Sequence, residues 1–348
     1  LDRAVLRDRI HGSLAWACIG DALGAPTEQR SIDEIRRRWG GRVERFYAPP
    51  DDAPFAKGRL PGQITDDASQ MLYLVDAYIE QHGELTARAV ADALLRWSSN
   101  AEYFPRFAGP STRASVDRLA AGEDPEMTGR MGRLTTEGTS NGAAMRVAPA
   151  GLAHPGDPEA AVRDALVMCL PSHATNLAIS GAACVAAAVA TAMVPGTPVI
   201  EVVWAGRWGA IEGERLGRQH GREVAGPSVA KRLDLALAIA AKAGSFDGAV
   251  AEIATTVGTG LHVSEAVPAA LGIFLAASGD PFLSVVGGAN AGDDTDTVAC
   301  IAGGIAGASA GLKSVPQELY RQVVEANNLD LEGKATAFTD LVSSGKTS

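Results

Sequence analysis

The sequence is short of everything that builds a sheet, a disulfide framework or a nucleic-acid surface. Aromatic residues make up 5% of its 348 residues, and no pair of segments alternates cleanly between apolar and polar positions as a half-buried hairpin requires. The four cysteines, Cys18, Cys169, Cys184 and Cys300, stand singly in apolar contexts with no CxxC spacing. That pattern excludes a disulfide set and a zinc ribbon, and points to small buried hydrophobes in a reducing compartment. Positive charge is in deficit, with 31 Lys and Arg against 41 Asp and Glu and a formal net charge of -10. A sequence-independent grip on DNA or RNA needs the opposite balance, so no nucleic acid polymer is expected as a partner. A small phosphorylated ligand stays open, because helix N-termini hold phosphate without basic side chains. The opening LDRAVLRDRI is too charged for a secretory signal, and a cytoplasmic location is expected.

Long hydrophobic runs are scarce as well. Residues 177–194, LAISGAACVAAAVATAMV, have spanning length without a charge. They are mostly Ala with Gly, Ser and Thr, too weakly hydrophobic to insert, and read as a buried helix in a tight bundle with no membrane partner.

Helix signals are what the chain does have. Ser31 with Glu34 forms a capping box, and Thr86 opens TARAVADALLRW. Asp157-Pro158-Glu159 sets a cap, a first-turn proline and an acid before AAVRDALVMCL. Pro227 precedes SVAKRLDLALAIAAKAG, and Ser264 opens SEAVPAALGIFLAAS with Pro268 tolerated in its first turn. Gly303, Gly307 and Gly311 recur every fourth position, as do Gly20 and Gly24, leaving bare helix faces for close approach. Residues 47–63 and 122–141 are the clearest loops and are expected to act as lids. The chain reads as one all-α domain.

Two short acidic runs carry the chemistry. Ile64-Thr65-Asp66-Asp67-Ala68-Ser69 leads straight into QMLYLVDAYIE, and Gly292-Asp293-Asp294-Thr295-Asp296-Thr297 leads into VACIAGGIAGASAGL. Hydroxyls and carboxylates at a helix mouth cap free amides and suit the helix dipole. Capping accounts for one or two such residues. It does not account for three carboxylates within four positions, which repel each other where the following helix is about to be buried. A cation between the runs resolves that repulsion. An oxygen-only donor set suits magnesium, manganese or calcium and disfavours zinc. The second run is not an EF-hand, since Val298 stands fifth from Asp294 and no glutamate stands twelfth.

Four motifs in order, Gly20-Asp21-Ala22-Leu23-Gly24 with Glu28, Thr65-Asp66-Asp67, Asn141-Gly142-Ala143-Ala144-Met145-Arg146 and Gly292 to Thr297, resemble the ADP-ribosylglycohydrolase family. That family includes the dinitrogenase reductase-activating glycohydrolases and the ADP-ribosyl-acceptor hydrolases. The similarity runs from about residue 9 to about residue 312. It implies a compact, single-domain orthogonal helical bundle over residues 1–348, holding two divalent cations, Mg²⁺ or Mn²⁺. Carried over by motif, Thr65, Asp66, Asp67, Asp294, Asp296 and Thr297 are expected metal ligands. Glu28, Asp66 and Asp67 are expected to be catalytic. Glu28, Asn141, Gly142, Ala143, Met145, His173, Gly292 and Asp293 are expected at the substrate. Arg146 is read as meeting either a phosphate or an internal carboxylate, and Glu265 as supporting helix packing near the metals.

The sequence departs from the family's pattern at two points. Ala68 stands where the first run usually has a second threonine, with Ser69 a candidate to replace its hydroxyl. Asp293 stands where glycine is common, adding a carboxylate expected beside the metals. The implied activity is hydrolysis of an α-glycosidic bond of ADP-ribose, releasing it from a protein side chain or a small acceptor. The alternatives are another ribosyl compound, such as a nucleoside or O-acetyl-ADP-ribose, and a non-catalytic ligand-binding or structural role.

Overall fold

The computed structural model describes residues 1–345, which are helical or irregular throughout. Among them there is no strand, and the β-bridges are isolated ones, Ser140 with His262 and Thr175 with Arg222. The fold is all-α, as the absence of alternating segments predicts.

Its axis is the first helix, Arg3–Gly24, whose residues from Ile10 to Gly24 are all buried. That helix packs along Thr295–Ala310, a helix buried from Thr295 to Ala308. The two bare faces expected from the sequence face each other here. A Cβ added at Gly20 would sit 2.2 Å from the Ala299 carbonyl oxygen, and one at Gly24 would sit 2.5 Å from Asp296 Cα. Only glycine permits backbones to come that close. Gly303 and Gly307 return the contact against the carbonyls of Trp16 and Gly12.

The Ala-rich run forms the helix Asn176–Ala192, buried over nearly its whole length against Val199–His220 and Pro158–Cys169. Among the described residues no helix is long and apolar enough to cross a membrane. All four cysteines are free and buried.

Most predicted caps form. The Thr86 side chain accepts from Ala89 N, and Asp157 accepts from Ala160 N. Two readings need correction. The Ser31 hydroxyl accepts from Glu34 N at 3.2 Å, but the Glu34 carboxylate turns to Arg30 instead of closing the box. The helix Val263–Ala276 is capped by His262, whose ring accepts from Ser264 N, while the Ser264 hydroxyl donates to the Pro227 carbonyl. Pro268 therefore lies in the second turn. The Ser264 carbonyl that its missing N–H leaves free meets Arg232 Nη1 at 3.5 Å.

Gly20→Ala should destabilise the protein by about 3 kcal/mol or more, because the new methyl meets backbone that cannot move aside. Gly244→Ala, where an added Cβ meets nothing within 4 Å, should stay within about 0.5 kcal/mol. Denaturant unfolding of both variants checks this, and equal losses would contradict the close approach.

Candidate metal centre

The first helix holds both acidic runs in place. Gly24 rests on the backbone of Thr295 and Asp296, which fixes the second run. One turn earlier Asp21, fully buried, accepts the Thr65 amide with both oxygens at 3.0 Å and the Ala68 amide at 3.0 Å. Its carboxylate thus satisfies amides at the start of the helix Asp66–Glu80, which Thr65 caps. The sequence motif that contains Asp21 does not by itself assign it this role. The signal was there, an aspartate among apolar residues in WACIGDALG, on the same helix as the two close-approach glycines.

Glu28, Asp66, Asp67, Asp294, Asp296 and Thr297 converge on one cavity of about 260 Å³. Glu28, Asp294 and Asp296 offer oxygen atoms that lie within 4.8 Å of one another. Asp67 and Asp296 are buried, Asp66 and Glu28 half-buried. Burial above all, then neighbouring carboxylates, pushes Glu28, Asp67 and Asp296 well above the usual carboxylate range. The same causes lift Asp66 to about 8. Asp294 also rises through burial, opposed by hydrogen bonds from its neighbours. Asn141 Nδ2 donates to Asp294 at 2.6 Å, bringing the glycine-rich turn to the second run.

A cation fits this arrangement on two observations. Asp67 Oδ1 is buried without a hydrogen-bond partner among the described residues, an expensive state for a carboxylate oxygen. The converging donors are all oxygens, the set that hard divalent ions prefer.

Asn141, Gly142 and Met145 line the cavity. Thr65, Ala143, His173, Gly292 and Asp293 do not. The Thr65 hydroxyl donates to Asp67 at 3.3 Å. Ala143 is fully buried. His173 lies beneath the turn, its ring touching Ser140 Oγ at 3.0 Å and Ser172 Oγ at 2.9 Å, with burial lowering its pKa to about 3. A Cβ on Gly142 would strike that ring at 2.9 Å. His173 is therefore a neutral support for the turn.

Asp293 adopts φ +60°, a left-handed conformation that glycine takes freely and Asp tolerates. The backbone there pairs with the Glu28 loop, Gln29 N to Asp293 O at 2.7 Å and Asp293 N to Arg30 O at 2.9 Å. Its carboxylate accepts from Gln29 Nε2 at 3.4 Å and, with Gly292, lines a neighbouring open groove. The Ser69 hydroxyl accepts the Trp97 indole N–H at 2.9 Å and donates to the Asp66 carbonyl at 3.4 Å. Among the described residues Arg146 pairs with no carboxylate. It is buried, donating to Gln70 and to Ser172 Oγ. Glu265 pairs with Arg232 at 3.2 Å. Sequence reasoning missed the rest of the wall, including Phe55, Phe107, Ser111, Thr112 and Leu261. The two expected lid loops contribute Phe55 and Thr136.

A family model described as ADP-ribosylglycohydrolase matches residues 2–345. The chain belongs to the ADP-ribosylglycohydrolase family. It is similar to the uncharacterized protein YegU of Escherichia coli (strain K12), 29% identical over 338 residues that cover 95% of this chain and 96% of that one. It also resembles the ADP-ribosylarginine hydrolase Tri1 of Pseudomonas putida (strain GB-1), 31% identical over 150 residues, 41% of this chain and 35% of that one. A solved ADP-ribosylglycohydrolase-related protein complex shares the fold, with a TM-score of 0.68 at 23% identity, covering 97% of this chain and 99% of that chain.

Carboxyls with raised folded pKa values favour folding while protonated, and that contribution is lost as pH climbs from the ordinary carboxylate value of about 4 toward the Asp66 value of about 8. In EDTA the melting temperature should therefore fall between pH 5 and pH 8. Millimolar Mn²⁺ should restore it, and by more at pH 8. A melting temperature in EDTA that is flat over this range would contradict the buried cluster.

Proposed function

We propose that the protein hydrolyses the α-glycosidic bond of an ADP-ribosyl group, freeing ADP-ribose from a protein side chain or a small acceptor. The observation that carries this reading is the convergence of Glu28 and both acidic runs on one cavity beside the Asn141–Gly142 turn. Family membership and partial similarity to an ADP-ribosylarginine hydrolase support the substrate class.

Thr65, Asp66, Asp67, Asp294, Asp296 and Thr297 are the proposed holders of two divalent cations, Mg²⁺ or Mn²⁺. Thr65 acts through its hydroxyl, which donates to Asp67 at 3.3 Å. When bound, the ions supply Lewis acidity toward the ribose hydroxyls and a water. Asp66 or Asp67 would take the proton of a water attacking the anomeric carbon. Glu28, half-buried at the cavity wall, is placed to give a proton to the departing group. A guanidine or alkoxide leaves readily only when protonated, and the transition state has oxocarbenium character. Asn141, Gly142 and Met145 form the wall against which the ribosyl group lies, with Ala143 and His173 behind them and Gly292 and Asp293 clasping the Glu28 loop.

The cavity itself favours a second reading. At about 260 Å³ it falls below the range of about 300–1,000 Å³ usual for sites that enclose a whole ligand. Apolar Phe55 and Phe107 on its wall suit a planar base. A smaller ribosyl compound such as a nucleoside is the substrate on that reading, with the same carboxylates acting.

Release of ADP-ribose should be measured on arginine-, serine- and acetyl-linked substrates beside a nucleoside panel, with Mg²⁺, Mn²⁺ or EDTA. The proposal expects turnover of a linked ADP-ribose with metal and none with EDTA. Asp66→Asn and Asp294→Asn should each lose at least about 100-fold. Hydrolysis of nucleosides alone would replace the first reading with the second, and full activity in either variant would sink both.

A further inference from the structure

The helix Val199–His220 buries one face and leaves an apolar stripe on the other. Ile200, Trp204, Trp208 and Ile211 follow one another at helical spacing and are 46%, 52%, 38% and 48% exposed. Leu235, on the neighbouring helix Val229–Lys242, is 41% exposed. The two helices are tied by Arg207, which bonds Asp234 through both a 2.5 Å and a 2.9 Å contact. The same guanidinium lies over the Trp204 ring, 5.6 Å from its centroid.

We propose that this face is a twofold interface with a second copy of the chain, the two Val199–His220 helices packing antiparallel about Trp208. Area is the first argument. Large apolar side chains bury roughly 150–250 Å² each, so these exposures amount to about 400 Å² of apolar surface. That matches about half of the roughly 800 Å² each partner buries in a standard interface, and interfaces are a little over half apolar. The stripe's one charged member, Arg207, lies over Trp204 and is paired with Asp234, while Glu201 and Arg215 stand around it, an apolar core within a polar rim.

Charge along the helix selects the partner and its direction. Glu201 is exposed near the N-terminal end and has no ion-pair partner among the described residues. Arg215 and Arg218 are exposed near the C-terminal end, where Arg215 pairs with Glu212 and Gln219 and Arg218 with Glu214, all within their own helix. An antiparallel copy centred on Trp208 brings Glu201 opposite Arg215, seven residues to either side of the axis. A parallel copy would bring Glu201 opposite Glu201. Closed twofold pairing of one patch with itself is the commonest solution for soluble oligomers. The cation–π contact already holds Trp204 in place, so less freedom is lost on association.

Sedimentation velocity of the full chain between 1 and 100 μM tests this, with circular dichroism to confirm that each variant is folded. A dimer is expected for the natural sequence and a monomer for Trp208→Glu. Glu201→Arg should weaken dimerisation at least about 5-fold. Adding Arg215→Glu to it should recover most of that loss, which only the antiparallel register predicts. A monomer at 100 μM overturns the proposal, whether or not the chain then sediments with phosphatidylcholine vesicles or another protein. A dimer indifferent to Trp208→Glu overturns it as well, and a charge exchange without recovery overturns the antiparallel pairing.

Discussion

The close approach of the first helix to Thr295–Ala310 is the constraint on which the candidate centre rests. Gly20 and Gly24 let the two backbones touch, and that contact sets the height at which the second acidic run leaves its helix. Asp21, between those glycines, grips the amides of Thr65 and Ala68 and so sets the first run. One helix therefore measures the gap between two groups of carboxylates that are more than 200 residues apart in the chain. Precision of this kind is easier on packed helices than on loops.

Such a jig has an energetic consequence. It forces like charges together in a dry place, where each carboxyl is held above its ordinary pKa. Alone, that is a destabilising arrangement. A cation taking up the unpartnered Asp67 oxygen would offset this cost, so that ion binding and folding would reinforce each other. The surrounding polar groups are arranged to tolerate this state. Asn141 feeds a hydrogen bond to Asp294, and His173 stays neutral under the turn that carries Asn141.

Much of this was legible in the sequence because composition and spacing are local. The absence of alternating segments foretold an all-α chain, and the two acidic runs stand at helix mouths with their carboxylates on one cavity. The bare faces at Gly20, Gly24, Gly303 and Gly307 foretold close packing, though not that they pack on each other. What stayed hidden depends on tertiary direction. Asp293 was expected beside the ions, but its left-handed backbone turns the carboxylate to the groove next door. Arg146 looked available for a ligand, yet burial commits it to Gln70 and Ser172. Asp21 looked like one residue of a helix motif and proves to hold two amides. The apolar wall at Phe55, Phe107 and Leu261 comes from loops and helix ends with no local signature.

The central claim is that these carboxylates form a site for divalent cations. Anomalous diffraction from crystals grown with Mn²⁺ tests it directly. Two peaks within coordination distance of Asp66, Asp67, Asp294 and Asp296 are predicted, with Glu28 beside them. A cavity without manganese at millimolar concentration, or peaks found only elsewhere on this acidic molecule, would contradict the account.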